Sequence, residues 1–181
     1  MDEKQLIISA KNGDKAAFEQ LILQYQSKVY NLAYKLLSNY TDASDAAQDA
    51  FLKLYKSLGS FREQSSLSTW IYRITYNVCV DRMRQIKRTP VSDYDESLAD
   101  TSASPEAYAI NNENKQIIYD AINKLPYEYR AAVILRDING HSYDEIAYIL
   151  GCSTRTVNSR INRRRGPLQE FLSVYLEPPD T

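Results

Sequence analysis

The chain has few of the residues that build most catalytic and metal sites. Among its 181 residues there are one histidine and two cysteines, at His141, Cys79 and Cys152. A zinc site needs a set of closely spaced His, Cys or carboxylate ligands, so no such site is expected here. No glycine-rich phosphate loop and no nucleophile motif occurs, which argues strongly against an enzyme. We therefore expect no catalytic residue, no bound metal and no cofactor.

Long apolar runs are absent as well. The N-terminus reads M-D-E-K-Q, and no apolar run approaches the roughly 20 residues that a membrane-spanning helix needs. A signal peptide needs an apolar segment near the N-terminus, so none is expected. The two cysteines lie far apart in the sequence and suit reduced thiols of the cytosol. The sequence predicts a cytoplasmic protein with no membrane insertion of its own.

Glycine is scarce, which indicates few tight turns. There are five glycines, and each separates two stretches with helical periodicity. Strand hairpins would need more turn residues than this. With 44% hydrophobic and 25% charged residues, the composition is that of an ordinary globular protein. We expect an all-α fold.

Charge is unevenly distributed along the chain, although the formal net charge is only −1. Residues 1–88 contain 13 basic and 9 acidic residues, whereas residues 89–114 contain six acidic residues and no basic one. Prolines and many Ser, Thr and Asp residues interrupt the helical pattern over residues 89–112, as in a chain that is disordered when unbound. The prediction is two small helical domains, residues 1–88 and 113–181, joined by an acidic flexible linker over residues 89–112.

A helix-turn-helix is predicted near the C-terminus. Ser142 and Glu145 have the spacing of a capping box, which starts a helix. Gly151 suits the left-handed cap at the end of that helix. Ser153 can cap a second helix immediately afterwards. Two short helices joined by a brief turn that contains glycine match the helix-turn-helix unit.

The second of these helices has two chemically different faces. At 100° per residue, Thr154, Val157 and Ile161 lie on one side and are expected to pack inward. The opposite side carries Arg, Asn and Ser, whose side chains suit base edges in a major groove. These outward residues are Arg155, Asn158, Ser159, Asn162 and Arg163.

Arginines also flank the apolar edge of this helix. Arg160, Arg164 and Arg165 lie where phosphate backbones would run beside a helix in the groove. Residues 154–165 contain five arginines and no acidic residue, whereas a solvated surface helix usually mixes its charges. The segment is therefore predicted to read DNA.

The first domain contains an amphipathic helix over residues 42–58 whose polar side is acidic. An alanine and leucine stripe that includes Leu54 is expected to pack inward. Asp45 and Asp49 lie one turn apart, and a magnesium ion is one alternative for such a pair. A protein-binding face fits better, because Phe51 and Lys53 lie beside the acids. Gln48 belongs to the same polar side.

A long helix is predicted over residues 67–88, after a loop over residues 59–66. It interleaves aromatic, arginine and asparagine side chains, which is what a single-stranded nucleic acid needs for stacking and phosphate neutralisation. A core helix with a basic solvated end is the structural alternative. The residues in question include Tyr76, Asn77, Arg73 and Arg84.

Four segments in a fixed order resemble a known family. They are G-D-K-A-A-F-E-Q-L from Gly13, D-A-S-D-A-A-Q-D-A-F-L-K-L-Y from Asp42, S-T-W-I-Y-R-I-T-Y-N-V-C-V-D-R-M-R from Ser68, and L-P-Y-E-Y-R from Leu125 with the helix-turn-helix. The chain resembles bacterial RNA polymerase sigma factors of the extracytoplasmic-function group, the smallest kind in the sigma-70 family. The segments extend over nearly the whole chain, and the ordered set is far more specific than any one of them.

The resemblance implies a sigma factor that binds core RNA polymerase and directs promoter recognition, DNA melting and transcription initiation. The first domain would dock on the clamp helices of the largest polymerase subunit. The residues implied for this contact are Asp45, Gln48, Asp49, Phe51 and Leu54. The loop around residues 60–67 and the helix after it would melt and read the −10 element. The residues implied there are Phe61, Arg62, Ser65, Ser66, Arg73, Tyr76, Asn77 and Arg84. Phe61 is expected to offer an aromatic face to an unstacked base.

The second domain would then read the −35 element through residues 155–164, and the linker would thread toward the polymerase active centre. An anti-sigma factor is a usual partner in the family. The sequence departs from relatives at Gly166 and Pro167, where we expect a break or kink. The main alternative is a stand-alone helix-turn-helix transcriptional regulator, which would not require the Trp-Tyr-Arg-Asn pattern of residues 68–84.

Overall fold

The computed structural model describes residues 2–88 and 112–163, without the side chains of residues 87 and 112–117. The chain divides into two compact units, Met1–Tyr94 and Asp95–Thr181. The division falls within the segment predicted as the acidic linker. Residues 89–111 of that linker, and Arg164, Arg165 and the predicted kink at Gly166 and Pro167, lie outside the described residues.

The first unit consists of four α-helices. They are α1 (Glu3–Lys11), α2 (Lys15–Leu37), α3 (Tyr40–Ser57) and α4 (Leu67–Arg88), with a 3₁₀ turn at Leu58–Ser60 after α3. Asp14 starts α2 by accepting hydrogen bonds from the backbone N–H groups of Ala16 and Ala17. The third helix begins two residues earlier than predicted, because Asn39 caps it by accepting from the Asp42 N–H.

The core of the first unit forms around α2, which packs against α1, α3 and α4. Leu21, Leu32 and Leu36 of α2 are fully buried. From α3 the predicted alanine and leucine stripe faces this core, and its small alanines let the two helices approach closely. Ile71, Val78 and Cys79 are among the residues that α4 adds. Helical periodicity alone thus identified the inward face of α3.

The second unit is also helical. Its elements are α5 (Asn112–Asn123), α6 (Tyr127–Val133) with a π-helical turn at Ile134–Ile138, α7 (Tyr143–Leu150), and α8 over residues 154–163. Residues 131–135 are all buried, so this stretch is enclosed on every side. The π turn closes with a hydrogen bond of 3.0 Å from the Asn139 N–H to the Ile134 carbonyl. The described residues contain no strand, which confirms the all-α prediction.

Candidate nucleic-acid and protein interfaces

The turn between α7 and α8 has the geometry that its residues predict. The Ser142 Oγ accepts from the Glu145 N–H at 3.3 Å, and the Glu145 carboxylate accepts from the Ser142 N–H at 2.9 Å. Gly151 has φ +65°, in the left-handed region where a side chain is strained. The Ser153 Oγ caps α8 by accepting from the Thr156 N–H at 3.2 Å. The capping box, the glycine cap and the second helix start are therefore confirmed.

Helix α8 turns one face inward and leaves the other exposed. Val157 and Ile161 are 0% exposed, and they anchor the helix to its unit. Thr154, which was also expected to pack inward, is exposed as the first residue of the helix. Ser159 is half-buried at the edge of the outward face. The remaining residues predicted to read bases are fully on the surface: Arg155, Asn158, Asn162 and Arg163. Because the inward residues are fully buried, the exposed set can project together toward a groove.

Two of these exposed residues hold each other in place. The Asn162 Nδ2 donates to the Asn158 Oδ1 at 2.8 Å, one helical turn away. Each side-chain amide has two N–H groups and a carbonyl oxygen with two lone pairs. The bond uses one donor of Asn162 and one lone pair of Asn158, so the pair keeps donors and acceptors for base edges. This contact reduces the side-chain freedom that binding would otherwise remove.

Arg160 differs from the other arginines of this helix. Its guanidinium donates to the Glu128 carboxylate at 3.2 Å, which links α8 to the first turn of α6. A second guanidinium nitrogen lies 3.9 Å from the Cys152 Sγ. Sequence periodicity placed Arg160 beside a phosphate backbone, but it could not show this partner, because Glu128 lies 32 residues away. The ion pair gives Arg160 a role in joining the two helices.

Helix α3 exposes only part of the set predicted to contact polymerase. Gln48 and Asp49 are exposed and Phe51 is half-buried. Leu54 is 1% exposed and faces the core, so its direct contact with a partner does not fit this structure. At 100° per residue, position 54 lies on the same side as the buried alanines, about 140° from position 49.

Leu52 lies on this exposed side of α3, although the sequence pattern did not single it out. It is 57% exposed, four residues after Gln48 and three after Asp49. That spacing places the three side chains next to each other on the helix surface. The available signal was an apolar residue on the polar side of the helix. The fully buried centre of a protein interface is more apolar than its rim, and Leu52 has the exposure to supply such a centre among polar neighbours.

Asp45 is already engaged within the chain. Arg82 of α4 donates through its Nε to Asp42 at 3.0 Å and through its Nη2 to Asp45 at 2.6 Å. The hydrogen bond with Asp42 raises the pKa of Arg82, and the hydrogen bond with Asp45 adds a smaller rise. Arg82 thus joins α4 to the first turns of α3. Asp45 therefore has a structural role that the sequence pattern did not predict.

Two aromatic residues predicted to face DNA lie in the core. Phe61 is 6% exposed, and its ring stacks on Trp70 with centroids 4.8 Å apart and planes at 27°. The Lys11 Nζ lies 5.3 Å from the Phe61 ring centroid. Tyr76 is 9% exposed. In this conformation neither ring offers a face to a base, because the packing of the unit uses those faces.

The polar residues of the same region lie along one side of α4. Arg73, Asn77 and Arg84 fall within about 40° of one another at 100° per residue, along about 16 Å of α4. Asn77 is exposed, Arg73 is half-buried, and Arg84 is exposed with a guanidinium nitrogen 3.7 Å from Asp81. Ser66, which is exposed, continues this line at the start of the helix. We call Ser66, Arg73, Asn77 and Arg84 the α4 stripe.

The loop before α4 is anchored at its end. The Ser66 Oγ accepts from the Thr69 N–H at 3.1 Å, which caps α4. Between Phe61 and Ser66, Arg62 is exposed and Ser65 is half-buried. Glu63 has φ +55°, a conformation that costs a non-glycine residue about 1–2 kcal/mol. The loop therefore holds a specific strained shape between two fixed ends.

The remaining candidate sites have simple structural explanations. In the part of the chain that the structure describes, no group of three His, Cys, Asp or Glu residues is placed to hold a metal. Asp45, one of the carboxylates weighed for magnesium, instead binds Arg82. Burial raises the pKa of the Cys79 thiol to about 12, so it is not a reactive thiolate. No described helix is both long and apolar enough to cross a membrane.

Comparison with known families gives two matches that together span most of the chain. The Sigma-70 region 2 family matches residues 21–89, and the Sigma-70, region 4 family matches residues 115–165. RNA polymerase sigma-H factor of Pseudomonas aeruginosa is 35% identical, over 96% of this chain and 95% of its own length. The ECF RNA polymerase sigma-E factor of Escherichia coli K12 is 37% identical, over 91% of each chain.

Solved structures agree with this result. The sigma factor RpoE, in a complex with the anti-sigma factor NepR from Bartonella quintana, superposes with a TM-score of 0.71 at 31% identity. The match includes 87% of this chain and 97% of that one. CnrH, in a complex with the cytosolic domain of CnrY, shares the fold with a TM-score of 0.68 at 23% identity.

Proposed function

The chain belongs to the extracytoplasmic-function group of the sigma-70 family, and it is a sigma factor that binds core RNA polymerase and directs initiation at promoters; we propose how its two units divide this work. The second unit reads the −35 element, and the first binds core polymerase and opens the −10 element. The observation that supports this division is that each unit exposes its own surface of arginine and amide side chains, on α8 and on the α4 stripe.

The second unit contributes direct base readout. Arginine recognises guanine and asparagine recognises adenine through paired hydrogen bonds in the major groove. Arg155, Asn158, Asn162 and Arg163 have the exposure that this requires. A single helix-turn-helix offers few base contacts, so the free protein should bind duplex DNA with negligible sequence specificity. Specific initiation then depends on core polymerase, which holds both units on one promoter.

The first unit binds core polymerase through the exposed side of α3. We assign this contact to Gln48, Asp49 and Leu52, with Phe51 at the edge. The exposed apolar Leu52 supplies a centre that is favourable to remove from water, and the polar neighbours supply a rim. The buried Leu54 supports the helix from within. A protein partner that covers this side of α3 would compete with polymerase, which is how we expect an anti-sigma factor to act.

The −10 element is opened against the loop before α4 and the α4 stripe. Extruding a base costs a few kcal/mol, so the protein must replace lost stacking and pairing. Asn77 offers a donor and an acceptor to a base edge, and Ser65 and Ser66 add small adaptable groups. Arg62, Arg73 and Arg84 neutralise phosphates along the strand. Phe61 and Tyr76 contribute by packing behind this surface.

Transcription with purified components tests the proposal as a whole. A pool of promoters with randomised −35 and −10 elements is transcribed by sigma-free core polymerase, with and without the protein. We expect run-off products from a restricted set of sequences only when the protein is present. Tight, specific shifts of duplex DNA by the protein alone at physiological salt would favour the stand-alone regulator instead.

Base capture is tested at a promoter selected in that way. An analogue whose fluorescence rises on unstacking is placed at successive positions of the −10 element. We expect a rise at one position when holoenzyme binds, and suppression of that rise by Asn77→Ala with unchanged −35 binding. Asn31→Ala is the matched control, because Asn31 is an exposed asparagine on α2, outside the α4 stripe. A signal that survives in the Asn77 variant would place the captured base elsewhere.

The setting of this activity follows from its partners. Because core polymerase and promoter DNA are cytoplasmic in bacteria, we infer that the protein works in the cytoplasm. We also infer that it acts by binding and positioning, with the polymerase supplying the chemistry. Neither a cofactor nor a metal enters this proposal.

A further inference from the structure

The N-terminal helix contacts the loop that the proposed function assigns to the −10 element. Lys11, the last residue of α1, donates from its Nζ to the Phe61 carbonyl at 2.7 Å. The two residues are 50 positions apart in the sequence. Phe61 is the first residue after the 3₁₀ turn, and its N–H donates to the Leu58 carbonyl at 3.1 Å. The lysine therefore binds the chain at the point where the loop leaves the helical core.

Lys11 contacts the ring of the same residue as well as its backbone. Its ammonium is 5.3 Å from the Phe61 centroid, within the range of a cation–π interaction. The Phe61 ring stacks on Trp70 of α4. Lys11, Phe61 and Trp70 thus form a stack that links α1, the loop and α4. A charged donor on a carbonyl is stronger than a neutral one, so this is a firm anchor for the loop.

The loop has a reason to need such an anchor. Its far end is fixed by the Ser66 cap of α4, and Glu63 between the two ends has φ +55°. A strained backbone conformation persists only when its surroundings hold it in place. If the Phe61 end were released, the loop could relax and Arg62 and Ser65 would lose their placement. Helix α1 lies outside residues 21–89, so the family match does not include this contact.

We propose that Lys11 is a positioning residue for promoter opening, because it holds the Phe61 carbonyl and so maintains the loop that receives the −10 strand. This inference rests on the proposed function of that loop. Binding energy is greatest when the receiving surface is already ordered, because ordering a loop on binding has an entropic cost. The predicted effect is on capture of the unpaired strand, with core binding and −35 readout unchanged.

The test uses holoenzyme and a fork template whose −10 non-template strand is already unpaired. Lys11→Met removes the charge and the donor but keeps the length of the side chain. We expect it to weaken binding of this template by about tenfold, which corresponds to about 1.4 kcal/mol. Lys11→Arg, which keeps a cationic donor, should recover most of that loss. Lys4→Met is the matched control, since Lys4 is an exposed lysine on the same helix, and it should bind like wild type.

Two measurements separate positioning from other roles of Lys11. Template binding is measured well below the melting temperature of each variant, where each is folded. If the Lys11→Met variant then binds like wild type, Lys11 contributes only to stability, and the proposal is overturned. The dependence on salt is measured in parallel. If Lys11 contacted a phosphate directly, Lys11→Met would flatten the slope of log K against log salt concentration by about 0.7 on this single-stranded template. A positioning role leaves that slope unchanged.

The same template also tests the underlying function. If wild-type holoenzyme does not distinguish matched from mismatched −10 sequences, and Asn77→Ala has no effect, the proposed function of the loop fails. If Asn77→Ala loses binding while Lys11→Met behaves as wild type, only the inference about Lys11 fails.

Discussion

The two units present their functional residues in different ways. In the second unit a single helix carries all the side chains that we assign to base reading, and Val157 and Ile161 on its opposite side are fully buried. In the first unit the surface is assembled from α3, α4 and the loop between them, and several residues of the expected set are used in packing or ion pairs. A surface on one helix follows from local periodicity. A surface made by several elements depends on which of their side chains are buried in the core.

The largest expected effect concerns two leucines on the same helix of the first unit. Leu54→Ala should lower the free energy of unfolding of this unit by about 2–5 kcal/mol, because it leaves a cavity in the core. Leu52→Ala should change it by less than about 0.5 kcal/mol, because Leu52 is exposed. Urea unfolding followed by the fluorescence of Trp70, the single tryptophan, measures both.

Binding to core polymerase completes this comparison. Leu52→Ala should weaken binding to core polymerase by about 1–2 kcal/mol, as truncation of a central interface residue does. Lys15→Ala, which removes an exposed side chain from α2, is the control. Unchanged affinity in the Leu52 variant would remove this residue from the proposed contact.

The next effect tests whether the second unit separates reading from support. Alanine at Arg155, Asn158, Asn162 or Arg163 should cost about 1–3 kcal/mol on the correct −35 sequence and relax the base preference there. Competition among −35 variants for holoenzyme measures both quantities. If affinity falls equally for all sequences, the exposed face of α8 contacts only the backbone.

Arg160→Ala provides the contrast within α8. Because Arg160 pairs with Glu128 at a partly exposed site, its loss should destabilise the second unit by about 0.5–1 kcal/mol. Hydrogen exchange at the buried amides of Ile146 and Val157 measures this. Glu128→Gln should have a similar effect, and the double variant should show less than the sum of the two. Full additivity would mean that the pair contributes nothing.

An effect of similar size distinguishes the two acids on α3. Asp45→Asn should destabilise the first unit by about 0.5–1 kcal/mol, because it weakens a partly exposed ion pair with Arg82. Asp49→Asn should leave the stability unchanged and reduce core affinity, since Asp49 is exposed on the Leu52 side of the helix. Denaturation curves and competition for core polymerase separate the two outcomes. Equal behaviour of the two variants would contradict the distinction.

The smallest effect is a pH dependence in the second unit. Burial lowers the pKa of His141 below its ordinary value, although Glu145, 3.8 Å away, opposes this. The unfolded chain then binds a proton at higher pH than the folded unit does. Stability from this residue is therefore fully present above about pH 6.5, the ordinary histidine pKa. It is lost as the pH falls through the lower folded value.

Hydrogen exchange at the α7 and α8 amides across this pH range is the measurement. His141→Gln should flatten the dependence, because glutamine does not titrate there. The first unit, which contains no histidine, is the internal control. If the stability of the His141→Gln variant depends on pH as that of the wild type does, the pH dependence comes from other groups.

Some features of this protein were determined by the sequence alone, because they depend on local geometry. The capping box at Ser142, the left-handed Gly151 and the exposed face of α8 each involve residues within about two helical turns. The inward stripe of α3 followed from the same periodicity. The ordered family segments identified the sigma-70 family, and the family matches confirm it.

Other features were decided only by the tertiary structure. The burial of Phe61, the Arg82 bridge to Asp42 and Asp45, and the contact between Lys11 and the Phe61 carbonyl join residues that are 9 to 50 positions apart. Helical periodicity shows which side of a helix is apolar, but it cannot show which charged or aromatic side chain another helix will bring to it. Competition for core space and for ion-pair partners is settled when the helices pack. That competition removed Phe61 and Tyr76 from the exposed surface of the first unit.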